Sequence, residues 1–411
     1  MTARKDEAGG ILAGLRVLEL ANWVAAPSCA ALMADMGADV IKIEPPGGDP
    51  YRSYMQRAIE YSHPFTHNLA FQLDNRGKRS LTVDLARAEG AALVRRMAGH
   101  ADVFITNLLP MRRERFGLTA ERLLALQPRL IDVTLTGYGT SGPDANLPGY
   151  DYSAYWARSG IMALMGEPPS PPALQRGAMG DHTAALNLLA ATLAALRLRD
   201  LTNEGQRVEV SLLATGHWIL GCDLSGALLD PQQPPRHDRG EPPNLLWNAY
   251  PTKDERWILI VIPQSDSRWP AFSRMVGHPE WGSDPRFTTA DGRRAHAKEL
   301  VRQIDPVFRR YTLAEWAPRL DEAGMIWAPV RLITEVVDDP QAAALERFVE
   351  IEHPEIGRFP TVAAPFTLSS GNPRPRRAAP LLDQDTTPIL REYGLAAEEI
   401  ETLRKGKIVG G

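Results

Sequence analysis

Short apolar segments alternate with helix-like segments along the first third of the chain. Strands are predicted at residues 16–20, 39–44, 80–85, 102–107 and 130–136, and helices at 27–36, up to Leu93 and around Leu123. Strands that alternate with helices form right-handed βαβ units and therefore a parallel sheet. In such a sheet, ligands bind outside the carboxyl ends of the strands. The pattern predicts an α/β fold with its binding edge after these strands.

Beyond the first third of the chain, the alternation of strands and helices gives way to a long apolar helix and then to a second domain. Residues 182–198 are apolar on nearly every side, which predicts a helix buried all round, and a strand is predicted at 207–210. Prolines cluster at 228–244, which indicates a linker into a second domain with a strand at 257–262. Short strands return near Ala328, and residues 387–404 have the pattern of one amphipathic helix.

Composition narrows the class of protein. The 411 residues carry 46 Lys+Arg and 50 Asp+Glu, a formal charge of −4, with 44% hydrophobic residues. This length suggests two or three globular domains. The mildly acidic balance argues against nucleic acid or an anionic membrane as partner. With two cysteines, no apolar signal segment and no run long enough to span a bilayer, we expect a cytoplasmic protein.

Several common catalytic motifs are absent from the sequence. The first βα turn, residues 21–27, has no glycine, so the dinucleotide motif G-x-G-x-x-G is missing and Glu44 is a weak candidate for a ribose ligand. The chain also has no P-loop, no G-x-S-x-G elbow and no H-E-x-x-H. Its nine histidines are scattered without metal-ligand spacing, so we predict no metal site.

Asp181 is the strongest candidate for chemistry, because it follows Gly180 directly before the apolar helix. One hypothesis makes it an N-cap, a short acid that accepts from free helix N–H groups. The other makes it a nucleophile. A helix N-terminus favours an ionised carboxylate, Gly180 permits close approach of another molecule, and the carboxylate attacks an activated carbonyl whose oxyanion the backbone N–H groups hold. The residues alone leave both open.

Three further segments have two interpretations each. Asp151 is predicted to cap a helix that runs through Ala157. The basic segment 75–80 (NRGKRS) is either a solvated turn or a phosphate anchor. The segment 111–115 (MRRER) places three arginines on a short helix after the fourth strand, where at most one or two of them face a ligand.

Nine segments together carry a resemblance to one family. In chain order they are LAGLRVLEL with GADVIKIEPPGGDPYR, NRGKRSLTVDL, DVFITN with RFGL, GYGTSGP, GAMGDHTAAL, GQRVEVSL, DPRFTT, APVRLITEVVDDPQ and EIEHPEIGRFP. The chain resembles the class III CoA-transferases, typified by formyl-CoA transferase. Carnitine and bile-acid CoA-transferases and α-methylacyl-CoA racemase belong to the same superfamily. The resemblance extends over almost the whole chain.

The resemblance implies a particular architecture. A large Rossmann-like parallel-sheet domain is built from both chain ends, residues 1–220 and 325–411, and a smaller α+β domain, residues 221–324, is inserted into it. Two chains thread through each other, so an interlocked homodimer is expected.

The resemblance also implies site roles. Asp181 matches the family's catalytic aspartate, which forms an anhydride and then an aspartyl-CoA thioester during transfer of CoA from an acyl-CoA to a carboxylic acid. CoA is then a substrate, and no permanently bound cofactor is expected. The positions that match CoA contacts are Val24, Ala25, Val83, Asp84, Leu85, Asn107, Leu108, Arg115, Thr136, Gly137, Tyr138 and Gly139.

Departures from the family pattern bear on the alternatives. Racemases of the superfamily carry a histidine where this chain has Tyr150, and a racemase needs two groups to take and return an α-proton. A lysine at the CoA site is replaced by Thr136, and residues 239–244 lack the glycine run of formyl-CoA transferase, which argues against formate and oxalate as substrates. An acyl-CoA racemase or epimerase and a non-catalytic CoA-binding protein remain alternatives to the transferase.

Overall fold

The computed structural model describes residues 10–54 and 68–410. The strands, in chain order, are β1 (Arg16–Leu20), β2 (Asp39–Glu44), β3 (Arg79–Thr82), β4 (Val103–Thr106), β5 (Ile131–Thr136), β6 (Gln206–Ser211), β7 (Trp247–Pro251), β8 (Trp257–Val261), β9 (Trp327–Pro329), β10 (Phe348–His353) and β11 (Gly357–Val362).

The α-helices, in the same order, are α1 (Ala25–Asp35), α2 (Leu69–Asn75), α3 (Ala88–Ala98), α4 (Pro110–Phe116), α5 (Ala120–Leu126), α6 (Ile161–Leu164), α7 (Met179–Thr202), α8 (Leu212–Ile219), α9 (Gly221–Leu229), α10 (Trp269–Met275), α11 (Ala290–Ala295), α12 (Ala297–Phe308), α13 (Leu313–Glu322), α14 (Ile333–Val336), α15 (Pro340–Ala344), α16 (Thr386–Glu392) and α17 (Ala397–Lys405). Pro50–Arg52 and Pro279–Gly282 are 3₁₀ turns, and Asp151–Arg158 is a π-helix.

Six parallel strands form the main sheet, in the order β3-β2-β1-β4-β5-β6. This confirms the predicted α/β class with a parallel sheet, and the order is that of doubly wound folds, whose ligands bind where the strand order reverses, here between β1 and β4. The bounds predicted for β1 and β2 are confirmed. The third strand ends at Thr82, earlier than predicted, because Val83 pairs with Val409 and the Asp84 N–H donates to the Ile408 carbonyl.

The chain packs as two compact units. The first comprises the described residues within Met1–Met162, Leu174–Gln232 and Gln341–Gly411, and the second comprises Ala163–Ala173 and Gln233–Pro340. The domain bounds given above, 1–220 with 325–411 and 221–324, stay a prediction.

Both ends of the chain contribute to the core of the first unit. Ile389 and Leu390 pack in one apolar cluster with Leu18 of β1 and Phe104 of β4. The single tail helix predicted for 387–404 is wrong, because Gly394 adopts a left-handed backbone (φ 78°) between α16 and α17. A glycine in that conformation ends a helix at little cost.

The second unit has its own sheet and core. Strands β7, β8 and β9 pair antiparallel in that order, and the predicted strand at 257–262 is β8. Trp269, Phe272 and Trp316 are fully buried against the sheet residues of this unit.

The long apolar helix α7 is exposed along one side, so the prediction of a helix buried all round is wrong. It packs against α1, β5 and β6, while Leu186, Leu198 and Leu201 on its outer side are 38%, 46% and 66% exposed. The exposed apolar surface continues on α8 and α9, and α9 has no buried residue.

Among the described residues, no single helix has the length and apolar character needed to cross a membrane. Helices α8 and α9 meet these two criteria only as a pair, bent by 79°.

Candidate active site

The first turn of α7 carries Asp181, but not as an N-cap. The cap position is Ala178, which has a left-handed backbone (φ 71°), and the helix begins at Met179. Asp181 therefore occupies the third helical position, and its side chain does not cap the helix. The cap hypothesis for Asp181 is wrong, because the strained residue that turns the chain into the helix lies three positions earlier.

Asp151 supplies the capping carboxylate from another segment. Its Oδ1 accepts from the Gly180 N–H at 3.1 Å, whereas the π-helix that Asp151 begins is capped by Tyr150. The prediction that Asp151 caps its own helix is wrong, since its side chain reaches across to α7. This bond also occupies the Gly180 N–H, so that group is not free to hold an oxyanion.

Gly180 has a steric role inside the chain. A Cβ built at Gly180 lies 2.3 Å from Asp151 Oδ1 and 2.3 Å from Tyr155 Cγ. The space beside Gly180 is thus filled by the protein's own side chains. We had expected this glycine to admit another molecule to the backbone, and the packing of Asp151 and Tyr155 contradicts that expectation.

His182 and Asp74 form a pair beside Asp181. His182 Nε2 lies 2.9 Å from Asp74 Oδ1, which also accepts from Ser28 Oγ at 2.9 Å. Asp74 is 2% exposed, and its Oδ2 has no hydrogen-bond partner among the described residues. The pair joins α1, α2 and α7 at their adjoining ends.

Asp181 lies in an electrostatic environment that opposes its ionisation. Burial, and then the charges of Asp151 and Asp74, raise the pKa of Asp181 from 3.8 to about 7, while the charge of His182 acts in the opposite direction. Within residues 10–54 and 68–410, the half-buried Asp181 carboxylate makes no hydrogen bond or ion pair. Its lone pairs are therefore uncommitted, in contrast to those of Asp74 Oδ1 and Asp151 Oδ1.

Aromatic rings cluster near the N-terminus of α7. Trp23 contacts Tyr51, Tyr54 and Tyr150 with ring centroids 6.2, 5.7 and 5.7 Å apart. Trp23 has a left-handed backbone (φ 69°), and its N–H donates to Asp49 Oδ1 at 3.1 Å. Burial raises the pKa of Tyr51 well above its usual value, and the negative charges of Asp74 and Asp181 act in the same direction.

The turn after β1, which is predicted to contact CoA, lies beside the N-terminus of α7. Val24 is buried in a small apolar cluster with Tyr51 and Phe71, and Ala178, the cap of α7, packs against the same cluster. Ala25, also buried, begins α1.

Asn107 lies at the point where the strand order reverses. It follows β4, and its side-chain amide both donates to the Asn22 carbonyl at 2.8 Å and accepts from the Asn22 N–H at 3.2 Å. The neighbouring Leu108 packs its side chain into the main core. The Asn107 side chain thus links the turns after β1 and β4.

The remaining predicted CoA positions also follow strands. Val83, Asp84 and Leu85 follow β3; Val83 is buried in the core, Leu85 packs against it, and the Asp84 side chain accepts from the Ala86 N–H. At the end of β5, the Thr136 hydroxyl accepts from the Gly139 N–H at 2.9 Å. The backbone N–H groups of Val83, Asp84 and Gly139 are therefore bonded within the chain.

The three residues that follow β5 differ in exposure. Gly137 is buried and Tyr138 is half-buried under the guanidinium of Arg158. Gly139 lines a cavity of about 310 Å³ together with Asn187 and Thr215.

The three arginines of α4 separate into different roles. Arg113 is buried and bonds Asp132 at 2.5 Å and the Leu118 carbonyl at 2.7 Å. Arg112 and Arg115 are exposed. Arg115 makes no ion pair with a described residue, which leaves its guanidinium available to an anionic ligand.

The basic segment 75–80 is neither a solvated turn nor a phosphate anchor. Arg76 is buried and bonds Asp35 at 2.6 Å, and Lys78 is fully buried and bonds Glu19 at 2.5 Å. Arg79 bonds Asp39. Each cation is matched by a carboxylate of this chain, so both hypotheses for the segment are wrong.

Glu44 is committed in the same way. Its two oxygens accept from the guanidinium of Arg52 at 2.7 Å each. Burial on its own would raise the pKa of Glu44, but the hydrogen bonds from Arg52 and the charge of Lys42 lower it to about 2. This pairing excludes Glu44 as a free ribose ligand.

The sequence analysis did not identify Asp74 or Tyr51 as site residues. Asp74 directly precedes the basic segment, and nothing in its neighbours predicts that it contacts a histidine 108 positions later. Only the packing of α1 against both α2 and α7 brings these residues together.

Comparisons with known proteins agree on one family. The model of CoA-transferase family III matches residues 12–386. An (R)-2-hydroxy-4-methylpentanoate CoA-transferase of Clostridioides difficile is 30% identical over 399 residues, which cover 97% of this chain and 99% of that relative. A succinate–glutarate CoA-transferase of Agrobacterium fabrum is 32% identical over 383 residues, 93% of this chain and 95% of that one.

A solved structure gives the same answer for the fold. The crystal structure of a CAIB/BAIF family protein from Brucella suis superposes with a TM-score of 0.82 at 29% identity, and the match covers 94% of this chain and 100% of that chain.

Proposed function

Because this chain belongs to CoA-transferase family III and is therefore an enzyme of that class, we propose that it moves coenzyme A from an acyl-CoA to a free carboxylate through covalent intermediates on Asp181. The family supports acyl-CoA:carboxylate CoA transfer. The assignment of the covalent chemistry to Asp181 is our proposal.

The first half-reaction releases the donor acid. An oxygen of the Asp181 carboxylate attacks the thioester carbonyl, the C–S bond breaks, and an aspartyl acyl anhydride and the CoA thiolate result. The thiolate then attacks the aspartyl carbonyl of the anhydride. The bond between the aspartyl carbonyl carbon and the bridging oxygen breaks, so the donor leaves with that oxygen as a carboxylate and an aspartyl-CoA thioester remains.

The second half-reaction reverses these steps with a new acid. The acceptor carboxylate attacks the aspartyl-CoA thioester, which gives a second anhydride and the CoA thiolate again. The thiolate attacks the acceptor acyl carbonyl, so the new acyl-CoA leaves and the Asp181 carboxylate is restored. No proton or water is consumed, and the thioester's free energy is retained in covalent bonds as long as water is excluded.

One observation carries this proposal: the Asp181 carboxylate is the uncommitted member of a cluster of three. Asp74 and Asp151 hold His182 and the Gly180 N–H at 2.9 and 3.1 Å. Asp181 has no such partner among the described residues and sits in the first turn of a helix of 24 residues. A helix N-terminus favours the carboxylate form that attack requires.

We place CoA along the carboxyl edge of the main sheet. The turns after β1, β3, β4 and β5 meet at this edge, and α/β folds bind ligands there. Arg115 is our candidate for a CoA phosphate, because it is exposed and pairs with no carboxylate of residues 10–54 and 68–410. Val83 and Leu108 pack in the core, so their side chains support the turns on which we place CoA.

We also propose that the partner of this chain is a second copy of itself. Trp218, Leu228 and Leu229 are 79%, 86% and 91% exposed on α8 and α9. Large apolar surfaces of this kind are typical of subunit interfaces. The interlocked homodimer implied by the family resemblance would cover them.

The direct test is substitution of the nucleophile. With an acyl-CoA donor and a panel of carboxylic acids, Asp181→Ala should lower turnover by at least about a thousandfold, because a covalent route is lost. Asp200→Ala, at the exposed far end of the same helix, is the matched control and should leave turnover unchanged. Turnover by Asp181→Ala within about tenfold of the wild type would remove Asp181 as the nucleophile.

A further inference from the structure

Asp74 is a buried carboxylate that requires a compensating charge. It is 2% exposed, and its Oδ1 accepts from Ser28 and contacts His182, both at 2.9 Å. A buried ionised carboxylate is unfavourable unless it is paired and hydrogen-bonded. The hydroxyl of Ser28 supplies a hydrogen bond but no charge.

The nearest lysine does not supply that charge. Lys78 Nζ does bond Asp74, at 2.9 Å, but through the backbone carbonyl. Its ion pair is with Glu19, at 2.5 Å. Among the described residues, the imidazole of His182 is the one group in contact with the Asp74 carboxylate that gains a positive charge on protonation.

His182 is also the residue that follows Asp181 in the first turn of α7. The Asp74 carboxylate therefore fixes an imidazole next to the nucleophile, where two further carboxylates, Asp74 and Asp151, oppose ionisation of Asp181. A positive charge held at this place compensates that repulsion.

We propose that Asp74 and His182 form a positioning pair that holds a protonated imidazole beside Asp181 and so favours ionisation of the nucleophile. This inference rests on the proposed role of Asp181. It assigns to His182 no contact with the substrate, and it makes Asp74 a positioning residue that acts through His182.

The groups that face this pair come from four elements. Asp74 lies on α2, Asp151 on the π-helix, Tyr51 on a 3₁₀ turn and Asp181 on α7. Burial would lower the pKa of His182, but the hydrogen bond and charge of Asp74, together with the charges of Asp181 and Asp151, raise it above 6.5. The surrounding charges thus agree with the geometry that favours the imidazolium.

The kinetic test compares pH profiles of kcat/KM, whose acid limb reports ionisation of the free enzyme. His182→Gln removes the charge, so the acid limb should move to higher pH by about one unit. His182→Lys restores a cation next to Asp74, and its acid limb should return toward the wild-type position. His100→Gln, at an exposed site, is the matched control and should not move it. Ionisations of the substrates are common to all variants and cancel in the comparison.

A second measurement is independent of turnover. In the resting enzyme with ¹³C-labelled histidine, NMR should show His182 titrating above 6.5, and in Asp74→Asn the same resonance should titrate lower. Assignment comes from the signal lost in His182→Gln.

The two proposals fail in different ways. If His182→Gln and the wild type share one acid limb, or if His182 titrates below 6.5 in the wild type, the positioning pair is overturned even when Asp181→Ala is inactive. If Asp181→Ala remains active, the proposed nucleophile is wrong, while the NMR titration still reports whether Asp74 holds the imidazolium.

Discussion

At the scale of single residues, Asp181 combines reactivity with a cost to the fold. Its carboxylate is half-buried near Asp74 and Asp151 and has no hydrogen bond among the described residues. A group whose pKa is higher in the folded protein than in the unfolded chain binds its proton more tightly when folded. The ionised form of Asp181 therefore destabilises the native state.

This predicts a stability gain in Asp181→Asn that depends on pH. The pKa of Asp181 rises from 3.8 to about 7, so the wild type loses stability relative to the variant as pH rises through that interval. At pH 4 the two should differ little, and at pH 8 the variant should be more stable by about 2 kcal/mol, a figure discounted for the solvent contact of this side chain.

Denaturant unfolding at pH 4, 6 and 8 measures this difference. Asp200→Asn, whose side chain is exposed on the same helix, should show no comparable dependence. A variant less stable than the wild type at pH 8 would show that the Asp181 carboxylate is stabilised in the fold.

Single residues were also where sequence reasoning was weakest. It selected Asp181, because an acid after glycine at the start of an apolar helix is recognisable locally. It assigned wrong partners to Asp151, Arg76 and Lys78, whose contacts with Gly180, Asp35 and Glu19 lie between 29 and 59 positions away in the chain. Local patterns contain no information about such contacts.

At the scale of elements, the first turn of α7 depends on the absence of one side chain. Asp151 and Tyr155 occupy the space where a Cβ of residue 180 would lie, 2.3 Å from each. The π-helix that carries both residues therefore packs against α7 in this way only when residue 180 is glycine.

Gly180→Ala should therefore destabilise the protein by about 1–3 kcal/mol, as overpacking does, and should lower turnover, because Asp181 moves with the turn. Gly47→Ala is the matched control, since Gly47 is exposed in the turn after β2 and a Cβ there meets no atom within 4 Å. This variant should stay close to the wild type in stability and rate. Thermal unfolding and initial rates check both variants, and a fully active, equally stable Gly180→Ala would contradict the packing described.

Elements were predicted well where the local pattern determines them. The strands β1 and β2 are short, mostly buried runs, and their bounds were predicted correctly. The tail helix was predicted as one because its apolar spacing continues across Gly394. The left-handed backbone of that glycine (φ 78°) interrupts it, and periodicity does not report backbone conformation.

At the scale of the whole molecule, the exposed apolar surface of α7, α8 and α9 is the basis of the proposed homodimer. The apolar pattern of residues 182–198 predicted a helix buried all round, and the single chain leaves the outer leucines of α7 up to 66% exposed. The sequence pattern does not distinguish burial within a chain from burial against another copy.

Sedimentation tests the proposed homodimer. The wild type should sediment as a dimer, and Leu228→Glu combined with Leu229→Glu should shift it toward monomer and lower its stability, because two charges enter an apolar interface. Leu126→Glu, on α5 and 56% exposed, is the matched control and should leave the dimer intact. A wild type that sediments as a monomer at all concentrations would contradict the proposal.

The covalent role of Asp181 is the centre of this account, and trapping the aspartyl-CoA thioester tests it most directly. The enzyme is incubated with an acyl-CoA, quenched with hydroxylamine and digested, and the peptides are mapped by mass spectrometry. The account predicts a hydroxamate on Asp181 that appears only with the acyl-CoA, and none on Asp74 or Asp151. Turnover with an unmodified Asp181, or with the label on another carboxylate, would contradict it.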